Sequence, residues 1–183
     1  MTRSDDRAAA VQWARDLLAS NESVVLDTET TGLHDDAEIC AIAIVAPSGQ
    51  VLLDSLVKPT RPIPPAAARI HGIDDTDVAT APTFAELVPQ LRELLSGATV
   101  VIYNAEFDER LLEQSAAAHG LTYEVPIFGA YKYDCAMLSY AAYCGAWNDR
   151  REAYRWQQLP GGDHSAAGDC LATLNLIRRM ANG

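Results

Sequence analysis

Five residues have the types and spacing that could do chemistry: Asp27, Glu29, Asp108, His164 and Asp169. Asp27 and Glu29 follow the short apolar run Ser23-Val24-Val25-Leu26, two positions apart. If the extended geometry persists, both carboxylates point to the same side. Like charges placed so closely repel, and a divalent cation relieves the repulsion. Asp108 lies in Asn104-Ala105-Glu106-Phe107-Asp108, in the first turn of a predicted helix. Asp169 follows the small residues Ala166-Ala167-Gly168, where a ligand or backbone can approach closely. His164, five residues earlier and after Gly161-Gly162, is expected on a loop. A loop histidine can swing over a site and exchange protons. Taken singly, each fits a plainer role: a solvated strand end, an acid favoured by the helix dipole, or a surface histidine.

The elements that must position these residues follow from the apolar pattern. Helices are predicted over 4–20, with Ser4 as N-cap, and over 83–96, with Thr83 as cap and Gly97 as stop. Further helices are expected over 105–119, 134–145, 147–159 and 165–180. Strands are expected at 23–26, 38–46, 51–57, 99–102 and 131–134. The turn Ala46-Pro47-Ser48-Gly49 joins the second and third, so the first three strands should form an antiparallel meander. The proline-rich stretch 58–82 reads as irregular. Strands then alternate with helices, which points to a mixed α/β sheet with helices on both faces. One domain over 1–183 is expected, with 1–22 as an N-terminal helical extension.

Composition restricts the function. The formal charge of −11 argues against holding nucleic acid by a broad basic surface. It leaves room for acidic residues that hold cations, which in turn meet phosphates. No apolar run approaches the ~20 residues of a membrane span, and no signal-peptide core follows Met1. Cys40, Cys135, Cys144 and Cys170 form no C-x-x-C pair. A cytoplasmic protein with no membrane partner is therefore expected. The stretch from Trp147 to Trp156 interleaves three arginines with three aromatics. That pattern could stack bases and meet phosphates, but an amphipathic helix is the favoured reading.

The joint order of the motifs resembles the DnaQ-like (DEDDh) 3′–5′ exonuclease family, which includes the proofreading epsilon subunit of bacterial DNA polymerase III. Three segments carry the likeness: Asp27-Thr28-Glu29-Thr30-Thr31-Gly32-Leu33, Asn104-Ala105-Glu106-Phe107-Asp108 and His164-Ser165-Ala166-Ala167-Gly168-Asp169. Ile70-His71-Gly72-Ile73 is a fourth family feature. Tyr103 departs from the histidine many relatives carry there.

The resemblance implies a ribonuclease H-like fold with a five-stranded mixed sheet, and two Mg²⁺ or Mn²⁺ ions. Asp27, Glu29 and Asp169 would hold one ion. Asp27 would share in the second, with Asp108 acting directly or through water. His164 would be the general base. Thr30, Leu33, His71, Ile73 and Asn104 would contact a single-stranded 3′ end. The implied reaction releases nucleoside 5′-monophosphates, with DNA favoured. The alternatives are RNA 3′-end trimming, or a proofreading and repair role set by a DNA polymerase partner. Because the sequence ends at Gly183, directly after the last helix, a stand-alone enzyme or a piece cut from a longer chain is expected over such a subunit.

Overall fold

The computed structural model describes residues 3–121 and 132–183. Its main sheet has five strands: β1 (Ser23–Thr30), β2 (Ile39–Val45), β3 (Val51–Leu56), β4 (Thr99–Ile102) and β5 (Lys132–Cys135). Their order is β3-β2-β1-β4-β5. As expected, β1, β2 and β3 pair antiparallel, while β4 runs parallel to β1 and β5 parallel to β4.

Helices cover both faces. The larger apolar side chains of the central strands, Leu26, Ile42 and Ile44, pack with Leu91, Leu95 and Leu111. Those three come from α3 (Phe84–Leu95) and α4 (Ala105–Ala118). The opposite face of β2 is mostly small, with Ala41, Ala43 and Val45. Against it lies α6 (Ala166–Ala181), close enough for the Cys170 thiol to reach the carbonyls of Val25 and Ala43 at 3.6 and 3.5 Å. Helices α1 (Arg3–Ala19) and α5 (Ala136–Cys144) join α6 on this side, where Ala10, Ala14 and Leu17 of α1 are buried.

The helix at 83–96 is capped as its sequence predicts. Thr83 Oγ1 accepts from the Glu86 amide, and the Glu86 carboxylate accepts from the Thr83 amide at 2.7 Å. This reciprocal pairing satisfies two amides that the helix leaves open. At the other end of the chain's core, Ser165 caps α6 by accepting from the Gly168 amide.

Four expectations are corrected. β1 does not stop at Leu26, because its ladder with β2 continues through Glu29 opposite Ala41 and Thr30 opposite Ile39. Helix α1 already includes Arg3, so Ser4 lies within it rather than capping it. The proline-rich stretch contains a helix, α2 (Pro65–His71), with Pro65 in the first turn and Gly72 ending it in a left-handed conformation. Proline is favourable at that first position, where the missing N–H costs nothing. The expected helix over 147–159 is absent. Instead β6 (Trp147–Asn148) pairs with β7 (Ala153–Tyr154), and Trp147 packs edge-on against Tyr154 with ring centroids 5.0 Å apart. Part of the strand expected at 131–134 lies outside the described residues, and β5 begins at Lys132.

Candidate active site

Because β1 stays extended through Thr30, Asp27 and Glu29 share the face that α6 covers. Their partners across the ladder are Ala43 and Ala41. These small side chains leave room for the start of α6, which brings in Asp169. Oxygen atoms of Asp27, Glu29 and Asp169 all lie within 4.8 Å of one another. Glu29 is buried, and Asp27 and Asp169 are half-buried.

Asp108 reaches the same cleft from α4. It sits on the buried face of that helix with Ala105, Leu111 and Leu112, and is only 4% exposed. This burial rules out a solvated helix-dipole role. Its Oδ1 accepts from Thr28 Oγ1 at 2.7 Å, and Thr28 stands on β1 between the other two acids. Asp27, Glu29, Asp108, His164 and Asp169 line one open cleft of about 340 Å³, together with Asn104, Phe107 and Leu159.

His164 lies at the exposed rim, on the loop before α6, with φ of 60°. A residue with a Cβ pays for that conformation, so something must hold it. Asp163 does, a residue the sequence did not single out. Its carboxylate accepts from the Ser165 amide and hydroxyl at 3.0 and 2.7 Å. Its own amide donates to Asp169 Oδ1 at 2.8 Å, so the histidine loop is fastened to the carboxylate cluster. A Cβ at Gly168 would overlap the Asp163 carboxylate, which explains a glycine inside the first turn of α6.

The electrostatics of the cluster are unfavourable without a cation. Burial, then the charges of Asp108, Asp169 and Glu29, pushes the Asp27 carboxyl well above the usual carboxylate range. Burial, then Asp169 and Asp108, raises Glu29 to about 8. Burial raises Asp108 to about 7, against the lowering effect of the Thr28 hydrogen bond. An all-oxygen donor set suits a hard divalent ion, and a cation would relieve this repulsion. The residues present therefore fit Mg²⁺ or Mn²⁺.

A pH dependence follows. The folded chain retains protons that the unfolded chain has already released, so deprotonation above about pH 4.5 penalises the folded state. Metal-free stability should fall as pH rises from about 5 through 8, the window set by the raised values of Asp108 and Glu29. Mn²⁺ at ~100 times its dissociation constant should raise the unfolding midpoint by roughly 5–10 °C near pH 8. Melts in EDTA and in Mn²⁺ at both pH values check this. A metal response equal to that of an Asp27→Asn, Asp169→Asn double variant contradicts it.

A second, mostly apolar pocket of about 410 Å³ adjoins the cleft and shares Thr28, Glu29 and Phe107 with it. Thr30, Leu33 and His71 line it, as do Ile70 and Pro64. Leu33 is 77% exposed, and its carbonyl accepts from Arg110, whose guanidinium lies over the Phe107 ring. Both ring nitrogens of His71 are engaged. Nδ1 accepts from the Ile73 amide, and Nε2 faces the Thr30 carbonyl at 3.2 Å. Asn104 lines the carboxylate cleft instead. Ile73 lines neither pocket, because its side chain packs half-buried against the apolar interior. Phe107 and Ile70 were not singled out as site residues. Their sequence signal is membership of the motifs Asn104-Ala105-Glu106-Phe107-Asp108 and Ile70-His71-Gly72-Ile73, each directly before a chosen residue.

Comparison with known proteins bears on this arrangement. A family model described as exonuclease matches residues 24–177. A protein of Escherichia phage 186, named uncharacterized exonuclease CP81, is 38% identical over 95% of this chain and 93% of its own length. The Escherichia coli DNA polymerase III subunit epsilon is 35% identical over 49% of this chain, but only 41% of that subunit is matched. Exonuclease X, solved in complex with 5′ overhanging duplex DNA, superposes with a TM-score of 0.59 at 30% identity. That match covers 87% of this chain and 90% of the exonuclease X chain. With the family model reaching from β1 into α6, across every strand and helix that carries a cleft carboxylate, the chain belongs to the DnaQ-like family of 3′–5′ exonucleases.

Proposed function

We propose that this protein removes nucleoside 5′-monophosphates one at a time from the 3′ end of single-stranded nucleic acid, with DNA favoured over RNA, by a metal-dependent mechanism. The observation that carries this reading is the convergence of Asp27, Glu29 and Asp169 oxygens within 4.8 Å, in a cleft that His164 borders. Asp27, Glu29 and Asp169 would hold one Mg²⁺ or Mn²⁺, and Asp27 with Asp108 a second, directly or through water. Bound there, the ions would supply Lewis-acid stabilisation of charge on the attacking and leaving oxygens.

The chain's own residues do the rest. His164 accepts the proton of the attacking water as general base. Asp163 and Ser165 hold the loop that presents it. The apolar pocket of Leu33, Ile70 and Phe107 receives the terminal base, a contact that tolerates any sequence. Thr30 and His71 shape that pocket, and Asn104 borders the phosphate side.

The DNA complex of exonuclease X supports the preference for DNA. The four cysteines are free thiols, which fits the reducing cytoplasm in which we place the protein. Among the described residues, no helix is long and apolar enough to cross a membrane. Likeness to the epsilon subunit favours a second reading, in which a DNA polymerase partner directs the nuclease to proofreading.

The test is hydrolysis of matched, end-labelled DNA and RNA strands with Mn²⁺. Faster release from DNA is expected. Equal or faster release from RNA would reassign the substrate.

A further inference from the structure

The hairpin β6–β7 and the segment after it have no role in the reading above. Trp156 is 71% exposed, an unusual position for the largest side chain. With Asn148, Arg151, Tyr154 and Arg155 it lines an open cavity of about 510 Å³. Three arginines, Arg150, Arg151 and Arg155, fall within six residues of a chain whose net charge is −11. Asp149 precedes them and Glu152 lies between them, so the hairpin itself keeps a slight excess of positive charge. Tyr154 donates to Asp6 of α1 at 2.7 Å, and the Arg155 amide donates to the Ala146 carbonyl at 2.8 Å. The base of the hairpin is thus tied to α1 and closed by a further backbone bond, while Trp156 faces solvent.

This surface is continuous with the carboxylate cleft. Gln157, Gln158 and Leu159, the next residues after Trp156, line that cleft. Tyr103 at the end of β4 donates to the Gln157 carbonyl at 2.8 Å and fixes the junction. The apolar pocket opens on the other side of the site, around Leu33 and His71. Release of a 5′-monophosphate breaks the bond from phosphorus to the 3′ oxygen of the preceding nucleotide. In-line geometry therefore requires the terminal nucleoside and the remaining strand to leave the phosphate in different directions. A terminal base in the Leu33 pocket sends the remaining strand toward Gln157 and the hairpin.

We propose that this hairpin holds the single strand immediately 5′ of the scissile phosphate, with a base stacked on the Trp156 indole and phosphates met by Arg151 and Arg155. Base–aromatic stacking and guanidinium–phosphate contact are sequence-tolerant, as an exonuclease that moves along a strand needs. The inference rests on the 3′-exonuclease reading.

The test compares two substrates under Mn²⁺: an oligothymidylate of about 12 nucleotides, and the p-nitrophenyl ester of thymidine 5′-monophosphate, which has no upstream strand. Trp156→Ala should lower kcat/KM on the oligonucleotide by about 5- to 100-fold. It should leave the ester within about twofold, and Trp156→Phe should retain most of the oligonucleotide activity. Arg151→Gln with Arg155→Gln should flatten the salt dependence on the oligonucleotide only. An unchanged oligonucleotide rate for Trp156→Ala, or equal losses on both substrates, overturns the hairpin assignment alone. No turnover of either substrate by the unsubstituted protein overturns the nuclease reading and the hairpin with it.

Discussion

Asp27→Asn should lower turnover by more than about 10³-fold while the protein remains folded. Loss of a single preorganised stabilising group in an active site already costs ~10²–10³-fold. Asp27 stands between two sets of partners: Glu29 and Asp169 on one side, and Asp108, which couples to it most strongly, on the other. Its removal therefore disrupts both proposed ion positions. The same substitution removes a half-buried group whose charge is opposed by three neighbours, so metal-free stability near pH 8 should rise. Gain in stability with loss of activity separates a functional carboxylate from a structural one. Steady-state rates at saturating Mn²⁺, with a melt in EDTA, check both halves. Activity within about tenfold of the unsubstituted protein would remove Asp27 from the reaction.

His164→Ala should cost about 10²- to 10⁴-fold in turnover, the usual range for a lost general base. The histidine lies outside the cluster of Asp27, Glu29 and Asp169 and sits exposed at the rim. Its loss should leave the Mn²⁺-dependent rise in unfolding midpoint intact, in contrast to Asp27→Asn. Part of the rate should return at higher pH, where hydroxide is more available. Full turnover, or a loss matched by weakened metal response, would show that His164 does not take the proton.

The positions of these residues were legible in the sequence to different degrees. Alternation along a strand placed Asp27 and Glu29 on one side, a purely local property. That β1 extends far enough to make this true depends on pairing with β2, which no local window reveals. Asp108 looked like an ordinary first-turn acid, and only the packing of α4 turned it inward. Helix α2 was hidden by prolines that usually mark irregular chain, although Pro65 opens it favourably. The hairpin was hidden for a different reason. Its turn contains no glycine: Asn148 Oδ1 accepts from the Arg150 and Arg151 amides, and Glu152 takes φ of 49°. Trp147 and Trp156 with arginines between them suggested an amphipathic helix, where cross-strand packing of Trp147 on Tyr154 was the solution. Asp163 showed itself only through its bonds to Ser165 and its link to Asp169.

Polarity and metal dependence are read together in a time course on a 5′-end-labelled single strand beside its closed circular form, with Mn²⁺ and with EDTA. The linear strand should shorten stepwise from its 3′ end in Mn²⁺, releasing nucleoside 5′-monophosphates. The circle should survive, and EDTA should stop the reaction. Cutting of the circle, 3′-monophosphate products, or undiminished activity in EDTA would contradict the metal-dependent 3′-exonuclease reading.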